Sequence, residues 1–192
     1  MTEHSPKSHP PDLEAVAAFH GHVCPGLLIG WRAAQLAMRL LGAPRSEDEE
    51  LVAICENRSC SVDAVQVVTG CTLGKGNLFI HDNGKQVYTF ARRPSGRGVR
   101  LAFRSELRDK DGGKLPREEF AALLLARPAE ELFVWRELTA DLPPEAEIRP
   151  TVVCAECGEG AMDTRTALVA GRRLCAECAA RAGHPLPPAC PI

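Results

Sequence analysis

The sequence predicts an α+β layer structure of helices and strands, followed by a small cysteine-held module. Three observations carry that prediction. A long apolar helical pattern runs from Pro25 to Leu41. Short apolar runs bounded by turn residues then occupy residues 51–104, and two Cys-x-x-Cys pairs follow a proline-rich stretch. Helices and strands mixed without a strict βαβ alternation belong to the α+β class. The chain's 192 residues suffice for one medium domain and a small module.

Residues 1–11 carry three prolines and no apolar core, and read as a disordered tail. Asp12 can cap a short helix over residues 13–19. The long helix opens at Pro25, favoured at a first helical position, and Gly42 is its C′ stop. Apolar residues nearly encircle it, leaving Arg32, Gln35 and Arg39 as a narrow polar stripe. Such a helix is expected to be buried by a sheet or by a second subunit.

The acidic stretch 46–50 reads as a solvated linker, and residues 51–56 as a buried strand. Residues 60–70 are rich in strand-favouring valines. The 3–4 spacing of Val62, Val65 and Val68 before Gly70 nevertheless predicts a helix. Asn83-Gly84 predicts a hairpin joining strands 78–81 and 86–90. A basic loop over 92–98 leads to a third strand, 99–104. Residues 115–126 and 128–138 read as two more helices, each started by a proline and rich in Glu, Leu and Ala. The expected domains are 12–140, a proline-stiffened linker 141–150, a module 151–183 and a tail 184–192.

A net charge of −2 argues against a dominant nucleic-acid or membrane-surface role. No apolar run reaches the roughly 18–20 residues of a membrane span. With no secretion signal either, the expected location is the cytoplasm. The nine cysteines are odd in number and include two Cys-x-x-Cys pairs, which favours metal sites and reactive thiols over a disulfide framework.

Cys154, Cys157, Cys175 and Cys178 are the most specific signal. Seventeen residues separate the pairs, a spacing typical of four-cysteine zinc sites. Four thiolates close a tetrahedral shell, so this Zn2+ is structural. A module of about 30 residues cannot bury a core of its own, and zinc would supply most of its folding free energy. Arg165, Arg172, Arg173 and Arg181 form either a nucleic-acid or acidic-partner surface or, preferably, a solvated face.

The second signal is His20-Gly21-His22-Val23-Cys24-Pro25-Gly26. In an extended segment His20, His22 and Cys24 would point to one side. Cys24 would sit at the start of a helix, whose dipole favours negative charge there. The thiol is then a nucleophile, a redox group or a metal ligand. Cys60, at a second expected helix start, lies near Asp63 and Cys71 in sequence. Cys55, inside an apolar strand, reads as core. The glycine-rich run 70–76 fails the phosphate-loop pattern, because three residues separate Gly70 and Gly74 and Gly76 follows Lys75. A tight turn bringing Cys71 and Lys75 to the site is the expectation.

Phe19 to Leu27, Glu56 to Gln66 and Thr69 to Leu78 closely resemble three ordered motifs of the FmdE family, named from formylmethanofuran dehydrogenase operons. The resemblance spans roughly residues 12–140, and members often end in a zinc-finger tail. It implies a mixed-sheet α+β domain, commonly a homodimer, with a metal-associated site at His20, His22, Cys24, Cys60, Asp63, Cys71 and Lys75. It does not imply formylmethanofuran dehydrogenase activity, since the redox chemistry of that complex resembles the work of molybdenum- or tungsten-bearing subunits.

Two functional readings follow. In the first, the protein is a metal- or thiol-dependent enzyme, or an accessory of a molybdenum or tungsten oxidoreductase. Its candidate catalytic residues are Cys24, His22, Asp63 and Lys75. A second metal ion would be held among His20, His22, Cys24, Cys60 and Cys71. In the alternative, it is a non-catalytic adaptor or regulator whose finger binds a protein or, less in keeping with the charge, nucleic acid.

Overall fold

Two helices, α1 (Leu13–His20) and α2 (Pro25–Leu41), meet at a tight corner. The structure is a computed structural model describing residues 13–110 and 113–187. The expected tail 1–11, the Asp12 cap and residues 188–192 lie outside them. Cys24 is the N-cap of α2 with extended backbone, and Pro25 follows at the first turn. α2 ends on Gly42, whose φ of 57° is the left-handed conformation open to glycine.

The chain continues through β1 (Leu51–Cys55), α3 (Ser61–Thr69), β2 (Leu78–Ile80), β3 (Val87–Arg92) and β4 (Arg97–Phe103). A two-residue pair, β5 (Asp109–Lys110) with β6 (Gly113–Lys114), precedes α4 (Arg117–Ala126), the single turn α5 (Ala129–Leu132) and β7 (Phe133–Thr139). Five strands form a mixed sheet in the order β2-β1-β3-β4-β7, in which only the β1–β2 pair is parallel.

Three sequence expectations are corrected. The segments around Asn83-Gly84 are strands, but they do not form a hairpin, because β1 lies between them. β1 is almost wholly buried and takes a partner on each edge. Asn83 and Lys85 both donate backbone N–H groups to Glu56 O, so the turn arches over the end of β1. The helix expected over 128–138 stops at Leu132, and Phe133–Thr139 pairs antiparallel with β4, with Leu101 opposite Trp135. Completing the β4 backbone bonds outweighs the helix propensity of a short Glu- and Leu-rich segment. The basic loop shrinks to a tight turn with a cis Arg93–Pro94 peptide, and β4 already begins at Arg97.

α2 packs against α3, α4 and strands β3 and β4 of its own chain. Leu27, Leu28, Leu36, Tyr88, Phe90 and Phe133 fill the core. The apolar girdle of α2 therefore needs no second subunit to cover it. The α2–α3 contact is close at Gly30, where a Cβ would fall 2.2 Å from Ser61 O. Only glycine allows that approach, which brings the start of α3 against the first turns of α2.

The chain divides into two compact units between Glu145 and Ala146. In the second, β8 (Thr151–Val153) pairs with β9 (Gly160–Met162), and β10 (Thr166–Val169) with β11 (Arg172–Cys175). The helix α6 (Ala176–Arg181) follows. No helix among the described residues is long and apolar enough to cross a membrane.

Candidate metal centres

The α1–α2 corner gathers the first constellation. His20 is the last residue of α1, and Gly21, at φ 96°, turns the chain while its N–H bonds Ala17 O at 2.8 Å. His22 is exposed, and Cys24 is buried at the helix start. Ligand atoms of His20, His22 and Cys24 lie within 4.8 Å of one another. The expected convergence is therefore present, but a helix–turn–helix corner produces it rather than an extended strand. The two imidazoles lie 4.7 Å apart, centroid to centroid, at 37°.

A carboxylate orients the first of these ligands. His20 Nδ1 lies 2.7 Å from Asp63 Oδ2, on the first turn of α3. A carboxylate oxygen accepts, so Nδ1–H donates, and in the neutral imidazole Nε2 then carries the lone pair. His20 Nε2 is buried without a hydrogen-bond partner. A buried nitrogen lone pair without a donor is costly unless something else satisfies it, and a metal ion does so. Carboxylate–histidine–metal chains are built in this way. Cys24 Sγ accepts the Leu27 N–H at 3.4 Å, which fixes the sulfur at the helix start. Two nitrogens and one sulfur suit a borderline divalent ion such as zinc, with one position left open.

Cys60 stands beside this set, not within it. It is the N-cap of α3, and burial, together with the neighbouring Cys24 thiol, holds its own thiol above the ordinary value. It lines a cleft of about 620 Å³ with His20, Arg58, Val62, Asp63, Leu73 and Ile80. The turn bearing it rests on a polar network that sequence reasoning missed. Asn57 Oδ1 accepts from Ser59 Oγ (2.7 Å) and Ser61 Oγ (3.0 Å), while Asn57 Nδ2 donates to Lys85 O at 2.8 Å. Gln86 donates to Ser59 Oγ and accepts from the buried Tyr88 hydroxyl. The Asn-x-Ser-x-Ser spacing of residues 57–61 was the available signal.

Two expected site residues lie elsewhere. Cys71 is fully buried, its thiol donates to Leu51 O at 3.3 Å, and burial pushes it up to about 11. Gly70 ends α3 and turns the chain back to the start of β1, away from Cys60 at the start of α3. Lys75 Nζ donates to Ser46 O and Glu47 O, both at 3.2 Å. Its loop fastens the 46–50 segment, aided by Asn77 Nδ2 bonds to Asp48 O and Leu51 O. Leu73 alone of that loop lines the cleft. Cys55 is core, as expected, its thiol pushed up to about 12 by burial.

In the second unit the sulfurs of Cys154, Cys157, Cys175 and Cys178 converge within 4.8 Å. Zinc–sulfur bonds of about 2.3 Å in a tetrahedron place sulfurs about 3.8 Å apart, and Cys157 and Cys175 are 3.9 Å apart. Backbone N–H groups of Cys157 and Cys175 draw the Cys154 thiol down to about 6. Burial and the three neighbouring sulfurs push Cys178 up to about 12. Four thiolates so close repel one another unless a cation joins them, and the donor set fits zinc.

Residues 19–137 match the family model described as FmdE, molybdenum formylmethanofuran dehydrogenase operon. That match spans more than half of the chain. The chain belongs to the FmdE family. Its FmdE domain is followed at residues 148–182 by a match to the prokaryotic dksA/traR C4-type zinc finger. A crystal structure of a tungsten formylmethanofuran dehydrogenase FmdE-like protein from Syntrophus aciditrophicus superposes with a TM-score of 0.61 at 28% identity. The likeness covers 91% of this chain and 92% of that one. A probable S-adenosyl-L-methionine-binding protein of Archaeoglobus fulgidus is 34% identical over 174 residues. That match takes in 77% of this chain, which spans 48% of the relative's length. The FmdE domain thus carries an open-sided Cys/His group at a cleft, and the C4 zinc finger a closed four-sulfur group.

Proposed function

We propose that this FmdE-family protein binds a divalent transition ion, zinc by donor chemistry, through His20, His22 and Cys24, and presents it to the cleft as an accessory of a molybdenum or tungsten oxidoreductase system. The observation that carries the metal reading is His20: its Nδ1 is committed to Asp63, its Nε2 is buried and unpaired, and it offers a ring nitrogen within 4.8 Å of ligand atoms of His22 and Cys24. The accessory role is supported by the operon in the family's description and by the name of the Syntrophus neighbour. When bound, the ion supplies Lewis acidity at the cleft. The chain's own residues bind and orient: Asp63 sets the His20 tautomer, the Leu27 N–H holds Cys24 Sγ, and Val62, Leu73 and Ile80 keep the cleft wall apolar. Metal analysis of the purified chain tests the reading. Two ions per chain, falling to one in Cys24→Ser, are expected; an unchanged count in that variant overturns it.

A second reading, an adaptor role for the finger, has its own observation. Arg172 pairs with Glu156 and Arg181 with Glu177, which weakens a nucleic-acid surface. Val153, Met162 and Leu168 stand exposed, which favours a protein partner. Homodimerisation also remains a proposal, supported by the exposed Leu125, Val134 and Trp135 of the FmdE domain. Sedimentation of the chain with and without residues 146–192 tests the dimer: a dimer that survives truncation supports an interface in the FmdE domain, and a monomer in both contradicts it.

A further inference from the structure

The FmdE domain's four thiols fall into two kinds. Cys55 and Cys71 are sealed in the core with no exposed surface. Cys24 and Cys60 start the two adjacent helices α2 and α3, and Cys60 lines the cleft. Gly26, in the first turn of α2, leaves a small space between them. A Cβ there would lie 3.9 Å from each of the two sulfurs and 3.4 Å from Cys60 Cβ. Gly30, one turn further along α2, lets the residue after Cys60 rest on the α2 backbone. Cys60 makes no capping bond with its own side chain, and it is not part of the His20, His22 and Cys24 group. Among the described residues, neither a helix cap nor the candidate metal group claims its sulfur.

We infer that Cys24 and Cys60 form a redox-active dithiol, closed to a disulfide by a low-molecular-weight disulfide of the glutathione type entering the cleft. Cys60 Sγ gives up its proton and attacks one sulfur of the small disulfide, whose S–S bond breaks, and the leaving sulfur takes that proton to depart as one small thiol. The Cys24 sulfur then attacks Cys60 Sγ, the mixed disulfide breaks, and a second small thiol leaves. Two protein thiols are oxidised by two electrons, one small disulfide is reduced to two thiols, and the two protein protons pass to those products. Attack begins at Cys60 because it lines the cleft, whereas Cys24 is only 7% exposed. Where Cys24 is also a metal ligand, a consequence resting on the reading above, disulfide closure and ion binding exclude one another.

The experiment equilibrates the full chain, metal-stripped and zinc-loaded, in buffers of graded reduced and oxidised glutathione. Acid trapping, alkylation and peptide mass mapping then read each cysteine. The expected result is a Cys24–Cys60 cross-linked peptide pair that forms in the stripped chain, reverses on reduction, and needs a more oxidising buffer once zinc is bound. Cys60→Ser should lose the cross-link and keep the ion count of the wild type; Cys60→Ala serves as a second probe if the serine variant misfolds. Free Cys24 and Cys60 in the most oxidising buffer overturn the inference, as does a stable Cys60–glutathione adduct that never closes. A cross-link without any zinc effect leaves the dithiol standing and removes Cys24 as a ligand. Zinc lost in Cys24→Ser without any cross-link removes the dithiol alone.

Discussion

His20 and Asp63 meet through one hydrogen bond of 2.7 Å that ties the last turn of α1 to the first turn of α3. The bond orients an imidazole whose other nitrogen is buried and unpaired. It is an outer-shell contact of the kind that fixes a ligand's tautomer and ring plane. Asp63→Ala is expected to weaken metal binding at the His20 site by about 10–100-fold, and Asp63→Asn less, because the amide oxygen still accepts. Chelator competition on the intact chain measures this. Equal affinities in all three proteins would detach Asp63 from the site.

Cys71 serves the core. Cys71→Ala should cost about 1 kcal/mol for the lost sulfur contacts and the bond to Leu51 O, and leave the metal content untouched. Urea denaturation beside metal analysis separates the two effects. Loss of one ion in this variant would return Cys71 to the site.

The zinc finger stands or falls with its ion. Among the described residues its core comprises Cys154, Leu174, Cys178 and Ala179 with a few partly buried neighbours. A strong chelator should abolish amide protection across residues 151–181 while the sheet of the FmdE domain keeps its own. Retained protection in the stripped finger would mean that its fold does not depend on metal.

Acid should loosen the 46–50 segment. The Ser46 hydroxyl bond, with backbone N–H bonds and the nearby Lys75, holds the Glu50 carboxyl below its ordinary value, against some cost from burial. A depressed carboxylate contributes stability that is present above its unfolded pKa and lost as pH falls through its folded pKa. Stability should therefore fall on acidification below about pH 4.5, the ordinary value, and fall less in Glu50→Gln. Urea midpoints between neutral pH and pH 3 check it; parallel curves for the two proteins would contradict it.

How far the sequence reached depended on whether a signal was local. α2 was legible to its last residue because Cys24-Pro25 and Gly42 are chemical start and stop marks, and the Cys-x-x-Cys pairs carried the finger. The Asn83-Gly84 turn was legible as a turn, but which strands it joined was not. That depended on β1, far earlier in the chain, needing a partner on both edges. Phe133–Thr139 became a strand only because β4 offered an open edge. The His20, His22 and Cys24 cluster was visible from spacing, though the corner that makes it was not. Cys71 and Lys75 were misplaced because nearness in sequence to Asp63 says nothing about which end of β1 a loop returns to.

Cobalt(II) loading reads the central claim most directly, because thiolate ligands give the ion an intense charge-transfer band. The wild-type chain should fill two sites, the finger with four thiolates and the His20 site with one. The wild-type minus Cys24→Ser difference spectrum should show a tetrahedral or five-coordinate ion carrying a single thiolate, which His22→Ala also removes. A flat difference spectrum, with cobalt bound only as a four-thiolate site, would contradict a metal centre at His20, His22 and Cys24.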